Sequence, residues 1–143
     1  MSQRHPRQNE VPMLITNVTK FRKETFIHGA FAREAIEVLY RVQEQHPFFL
    51  YAFVIMPDHC HFLIKVRSPE RISNIMRMYK LGVSHSIGIG PLWQSRFDLR
   101  VPQNMSTCIR YIHMNPVRKH LVSTPEAYPW SSACGEWDIT RLG

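Results

Sequence analysis

Several familiar signals are scarce in this 143-residue chain, and each scarcity removes a class of protein. There are 3 cysteines, an odd number, at Cys60, Cys108 and Cys134, with no C-x-x-C pair. That argues against a disulfide framework or a cysteine zinc site and favours a reducing compartment. No apolar run approaches the roughly 18 to 20 residues needed to cross a bilayer. Met1 to Glu10 is polar and charged, without the apolar core of a secretory leader, so the expected location is cytoplasmic and residues 1–10 read as a flexible basic arm. No internal repeat or low-complexity linker is visible. Composition that is 44% hydrophobic and 20% charged is globular, and the length suits one domain over residues 1–143.

Acidic residues are also scarce where it matters. Residues 59–125 hold ten basic side chains (Lys65, Arg67, Arg71, Arg77, Lys80, Arg96, Arg100, Arg110, Arg118, Lys119) against Glu70 and Asp98 alone. The whole chain carries +7. A basic field confined to one segment suits a polyanion such as nucleic acid, because each neutralised phosphate releases counterions.

That segment begins at Val54-Ile55-Met56-Pro57-Asp58-His59-Cys60-His61-Phe62-Leu63-Ile64. In a strand His59 and His61 share one face, where their imidazoles can converge on a metal ion or a phosphate. Cys60, Phe62, Ile64 and Val66 take the opposite, core-facing side. An H-x-H pair is by itself a weak signal, more often two histidines near a turn that only make hydrogen bonds.

Around it, Val11 to Thr19 reads as a first strand. Phe31, Ala35, Val38, Leu39 and Val42 form an apolar stripe that predicts a helix over Gly29 to Gln45. Phe48 to Met56 is apolar on both faces and predicts a central strand. Pro57-Asp58 turns the chain into a second hairpin arm, His59 to Val66. Ser68-Pro69-Glu70 looks like a helix start with a serine cap, leading to a stripe of Ile72, Ile75, Met76, Tyr79 and Val83. Leu92 to Val101 alternates as a further strand, with Trp93 in the core. Asn104 caps a last helix with Met105, Cys108, Ile109 and Ile112 inward, and Pro116 is expected to kink or end it. Residues 123–143 form a C-terminal extension expected to pack loosely along the body. The order β-α-β-β-α-β-α predicts an α+β, ferredoxin-like βαββαβ antiparallel sheet, with an additional C-terminal helix over its other face or its edge.

On that last helix Tyr111, Asn115 and Arg118 fall within roughly 60° of one another, beside the apolar stripe. The blocks Met56-Pro57-Asp58-His59-Cys60-His61-Phe62, Gly90-Pro91-Leu92-Trp93-Gln94-Ser95-Arg96-Phe97 and Tyr111-Ile112-His113-Met114-Asn115-Pro116-Val117-Arg118 resemble the small HUH-type single-tyrosine transposases. These comprise compact insertion-sequence transposases and their relatives associated with repetitive extragenic palindromes (REP). The resemblance runs from the first strand to Trp130-Ser131-Ser132, and asparagine at position 115 is closer to the palindrome-associated branch. Lys119-His120 stand where many relatives carry a small residue and glycine.

The resemblance implies a metal-dependent endonuclease and strand transferase acting on single-stranded or hairpin DNA. Tyr111 would attack phosphorus and form a 5′-phosphotyrosine. His59, His61 and Asn115 would hold a divalent ion, magnesium or manganese. Lys65, Arg96, Arg110, Arg118 and Lys119 are candidate DNA contacts, and His113 is either structural or a DNA contact. A phenol is a poor nucleophile near neutral pH, so a nearby cation that favours its anion is chemically apt. Relatives include monomers and homodimers, and either is open here. Two other readings remain: a domesticated hairpin-binding protein that does not cleave, and a phosphodiesterase that uses the histidines directly.

Overall fold

The computed structural model describes residues 11–142. The elements are β1 (Met13–Val18), α1 (Gly29–Gln45), β2 (Phe48–Met56), β3 (His59–Val66), α2 (Ile72–Ile87), β4 (Asp98–Arg100) and α3 (Met105–Arg118). The four strands form one antiparallel sheet in the order β2-β3-β1-β4. This is the expected ferredoxin-like arrangement with an added helix. The expected basic arm, residues 1–10, lies outside the described residues.

One face of the sheet carries the main core. Met13 and Ile15 of β1, Phe53 and Ile55 of β2, and Cys60, Phe62 and Ile64 of β3 are buried there against α1 and α2. The two helices approach closely at Gly82, where an added Cβ would stand 2.9 Å from Val38 Cγ1. α3 lies on the opposite face. Its buried Cys108 and Ile112 pack with Tyr51, Val54, Met56, Leu63 and Tyr128 in a smaller cluster. The register of β2 against β3 shifts between Leu50 and Ala52, so that Phe48 and Leu50 share the main core with Phe53 and Ile55. A bulge of one residue reverses the parity that strict alternation would impose.

Several sequence expectations are corrected. β2 is apolar on both faces, yet it is the edge strand of the sheet rather than a central one. The reason lies in the C-terminal extension, which docks along that edge instead of packing loosely. Ile55 N–H donates to Trp130 O at 2.8 Å, Phe53 N–H to Ser132 Oγ at 3.0 Å, and Thr140 N–H to Leu50 O at 2.7 Å. Val54 also forms an isolated bridge with Ser131. These bonds pair backbone groups that an edge otherwise leaves open, so burial of both faces is consistent with an edge position.

Ser68 does not cap α2. Glu70 N–H closes a separate turn onto Arg67 O at 2.9 Å, and the helix starts after an extended Arg71. The strand expected over residues 92–101 is a ladder only at Asp98–Arg100. Leu92 and Gln94 bond the backbone of Lys20 and Val18, and residues 95–97 then leave the ladder as Phe97 turns into the core. Asn104 does cap α3, its Oδ1 accepting from Thr107 N–H at 2.9 Å. Pro116 neither ends nor visibly interrupts α3, which continues to Arg118. Among the described residues no helix is long and apolar enough to cross a membrane.

Candidate functional site

β1 and β3 are paired with His61 directly across from Thr16 and His59 across from Val18. Thr16 therefore meets His61 as a cross-strand pair, with Oγ1 and Nδ1 2.8 Å apart. His59 Nδ1 lies 2.7 Å from Asp58 Oδ1, and Asp58 Oδ2 accepts from Arg22 at 3.0 Å. Each histidine thus has its Nδ1 held by a neighbour that sets ring orientation, and at His59 the acceptor-only Asp58 carboxylate also sets the tautomer, leaving Nε2 as its lone-pair nitrogen. Neither Asp58, Thr16 nor Arg22 emerged from sequence as a site residue. Asp58 next to His59 carried a signal; Thr16 and Arg22 carried none, because only sheet register and a loop contact bring them here.

α3 supplies the other wall. Ile112 sits in the core, and Asn115, one turn on, is buried with Nδ2–H donating to His59 Nε2 at 3.2 Å. Tyr111, one turn back from Asn115, has its ring centroid 5.7 Å from that of His61, and the two histidine rings are 4.9 Å apart. Tyr111 is 47% exposed, so its ring bridges the buried His61 and solvent. Arg118 holds it from above, with the guanidinium carbon 4.4 Å from the ring centroid and Nη2 donating to Tyr111 O at 2.5 Å. These groups all belong to one chain.

The electrostatics follow from burial. Burial drives the His61 pKa down to about 3, helped by the positive fields of His59 and Arg118. His59 is also lowered by burial, against an opposing pull from Asp58. Burial would raise Asp58, but its hydrogen bonds to His59 and Arg22 outweigh that and hold it below the usual carboxylate range. Both imidazoles are therefore neutral at physiological pH, the form in which imidazole ligates a metal.

Among the described residues no group of three or more His, Cys, Asp or Glu side chains is placed to hold a metal ion. The donor set on offer is two imidazole nitrogens and one amide. It fits a divalent ion that completes its shell with water or phosphate oxygens, provided the Asn115 amide rotates to present its oxygen.

Of the other candidates, Lys119 is close enough to His59 to oppose its protonation. Lys65 stands at the far end of β3 with its ammonium 5.0 Å over the Phe49 ring, away from the histidines. Arg110 is exposed and leaves α3 about 100° from Tyr111. Arg96 is exposed on the segment before β4. His113 bonds Ser132 Oγ at 2.7 Å, which ties α3 to the C-terminal extension, so its placement is structural. A hollow of about 830 Å³ opens beside the site, bounded by Thr16, His61, Tyr111, Asp98, Arg100 and Asn104.

The fold is of the ferredoxin-like class with an added helix, and residues 8–115 match the family model described as transposase IS200 like. The chain belongs to the IS200-like transposase family. Among solved structures it is similar to a REP-associated tyrosine transposase bound to a REP hairpin, at 22% identity with a TM-score of 0.79, covering 100% of this chain and 92% of that one. It is also similar to a candidate transposase from Deinococcus radiodurans R1, at 14% identity with a TM-score of 0.58, covering 85% and 98% of the two chains. At these identities the two structures speak to the fold. No curated protein sequence matches the chain.

Proposed function

We propose that this protein nicks and rejoins single-stranded DNA at hairpin or palindromic sites through a covalent bond to Tyr111. The observation that carries this reading is the convergence of Tyr111, His61 and Arg118 within one chain, at 5.7 Å and 4.4 Å between ring or guanidinium centres. The Tyr111 oxygen attacks a backbone phosphorus, a phosphotyrosyl bond to the 5′ side forms, and the P–O3′ bond breaks. The phenolic proton is lost and the departing 3′-oxygen takes one up. Arg118, fixed over the ring, is placed to pair with a phosphate beside it. The energy of the broken ester is retained in the phosphotyrosine, so a 3′-hydroxyl can reverse the step without a nucleotide cofactor.

His59 and His61, through Nε2, and Asn115, through Oδ1, are the residues that would hold a divalent magnesium or manganese ion. Such an ion polarises the phosphate and stabilises charge on its oxygens. Asp58 and Thr16 orient the imidazoles. Membership of the transposase family and the hairpin bound by the similar REP-associated structure support DNA hairpins as the partner.

The test is a hairpin oligonucleotide with single-stranded flanks, incubated with protein and manganese and resolved under denaturing conditions. A covalent adduct is expected, reduced on the order of a thousandfold or more in Tyr111→Phe. An undiminished adduct in that variant would remove Tyr111 from the role. Hairpin binding without any adduct would instead favour the non-cleaving reading. Cleavage that survives Tyr111→Phe but not His61→Ala would favour the phosphodiesterase.

A further inference from the structure

A second hollow, of about 670 Å³, lies on the opposite side of the sheet between α2 and the segment leading into β4. Its floor is aromatic. Trp93 and Phe97 are buried there, and the Trp93 indole N–H donates to Lys80 O at 3.2 Å, which pins the ring. Its rim is cationic. Arg77 and Lys80 line it from successive turns of α2, and no acidic side chain lines it among the described residues. Lys80 Nζ donates to Gln94 O at 2.7 Å and Arg77 to Asn74 Oδ1 at 2.8 Å, so each cation keeps further donors for a ligand. Leu81, 60% exposed, extends the apolar surface to the mouth.

The volume suits a ligand of nucleotide size. An aromatic floor with a cationic rim is the combination that grips unpaired nucleotides, stacking the base and neutralising the phosphate. An uncharged apolar ligand would leave two cations without purpose.

The position of the hollow selects among anions. The 92–103 segment walls it with Gln94 and Phe97 and, a few residues on, walls the Tyr111 hollow with Asp98 and Arg100. Between and beside these, Arg96 and Arg100 are exposed along the sheet edge. Asp98, the acidic group on this path, is paired with Arg100 at 3.1 Å.

We propose that this hollow is a second nucleic-acid subsite, taking an unpaired nucleotide of the same strand that enters the Tyr111 hollow, after that strand crosses the β4 edge. This deepens the proposed function and rests on its reading of single-stranded DNA as substrate.

The test compares hairpins carrying single-stranded tails of about 4 and about 12 nucleotides, on either side, with the full-length protein. Binding is read by fluorescence anisotropy and catalysis by adduct yield. Wild type should bind the longer tail about tenfold more tightly on one side. Arg77→Glu and Leu81→Glu, both at exposed positions, should erase that gain while short-tail affinity, adduct yield and melting temperature stay unchanged. Equal affinity for both tail lengths in wild type would overturn the subsite, as would a gain that survives both variants. A deoxynucleoside monophosphate that shifts the Trp93 indole N–H resonance, without any tail gain, would assign the hollow to free nucleotide and refute the strand path. A tail gain lost in the variants, with no adduct from any substrate, would uphold the subsite and overturn the catalytic reading instead. Absence of binding to every hairpin would overturn both.

Discussion

The two faces of the same sheet are built to different ends. On the α1/α2 side β1 and β3 present Met13, Ile15, Cys60, Phe62 and Ile64, all buried within one apolar cluster. On the α3 side the same two strands present Thr16, His59 and His61 near one end and Leu63 further along. α3 repeats the division along its length: Cys108 and Ile112 are buried in the smaller core, whereas Tyr111, Asn115 and Arg118 face the histidines. The hydrophobic work is concentrated on one face, so the other can hold neutral imidazoles, an amide and a half-exposed tyrosine. Polar groups that would be costly in the main core are paired here by register, by the turn and by α3.

The sharpest way to break this contrast is to damage each face in turn. Phe62→Ala removes a fully buried ring from the α1/α2 side and should cost about 3–5 kcal/mol in urea unfolding. A loss below about 1 kcal/mol would mean that this face does not carry the fold. Asp58→Asn, by contrast, leaves the core intact and weakens the orientation of His59. Manganese affinity and adduct rate should fall about 10–100-fold with little change in stability. Unchanged metal affinity, measured by calorimetry, would show that the Asp58 contact does not tune the ring.

The histidine face should also give itself away by pH. The folded-state pKa of His61, about 3, lies below that of the unfolded chain, so the unfolded state binds the proton first. Its contribution to stability is complete above about pH 6.5 and is lost as pH falls from there toward 3, at most about 1.4 kcal/mol per pH unit. In metal-free buffer between pH 6.5 and 5, His61→Leu should therefore show a shallower fall in unfolding free energy than wild type. Parallel curves would place the titrating group elsewhere, with His59 and His113, also lowered by burial, the next to test. The smallest effect concerns the start of α3. Asn104→Ala should cost about 1 kcal/mol through the lost bond to Thr107 N–H, and a circular-dichroism melt indistinguishable from wild type would argue against the cap.

Local patterns read correctly where local physics decides. α1 occupies Gly29–Gln45 as its apolar period predicts, β3 begins at His59, and Asn104 is the cap of α3. Misreadings cluster where distant chain intervenes. The apolar faces of β2 imply burial, but burial comes from neighbouring strands or from a later segment alike, and here Trp130, Ser131 and Thr140 supply it. Ser68-Pro69-Glu70 has the composition of a helix start, yet Glu70 meets His46 at 3.0 Å and the turn closes before the helix begins. Thr16 is an unremarkable strand residue until β3 is laid beside it in one register and not the next.

Sequence alone determined that His59 and His61 share a strand face, and that Tyr111, Asn115 and Arg118 share a helix face, because side-chain direction follows from strand and helix periods. It also placed a strong basic bias from His59 to Pro125, ten basic side chains against Glu70 and Asp98. Only the tertiary structure decided that α3 covers the sheet face opposite α1 and α2, and that it does so in the register which sets Asn115 against His59 and Tyr111 against His61. Periodicity orients side chains within an element but carries no information about the distance between elements some 50 residues apart. That distance is set by packing Ile112 and Cys108 onto β2 and β3, where a slip of one helical turn would move Tyr111 by about 5.4 Å.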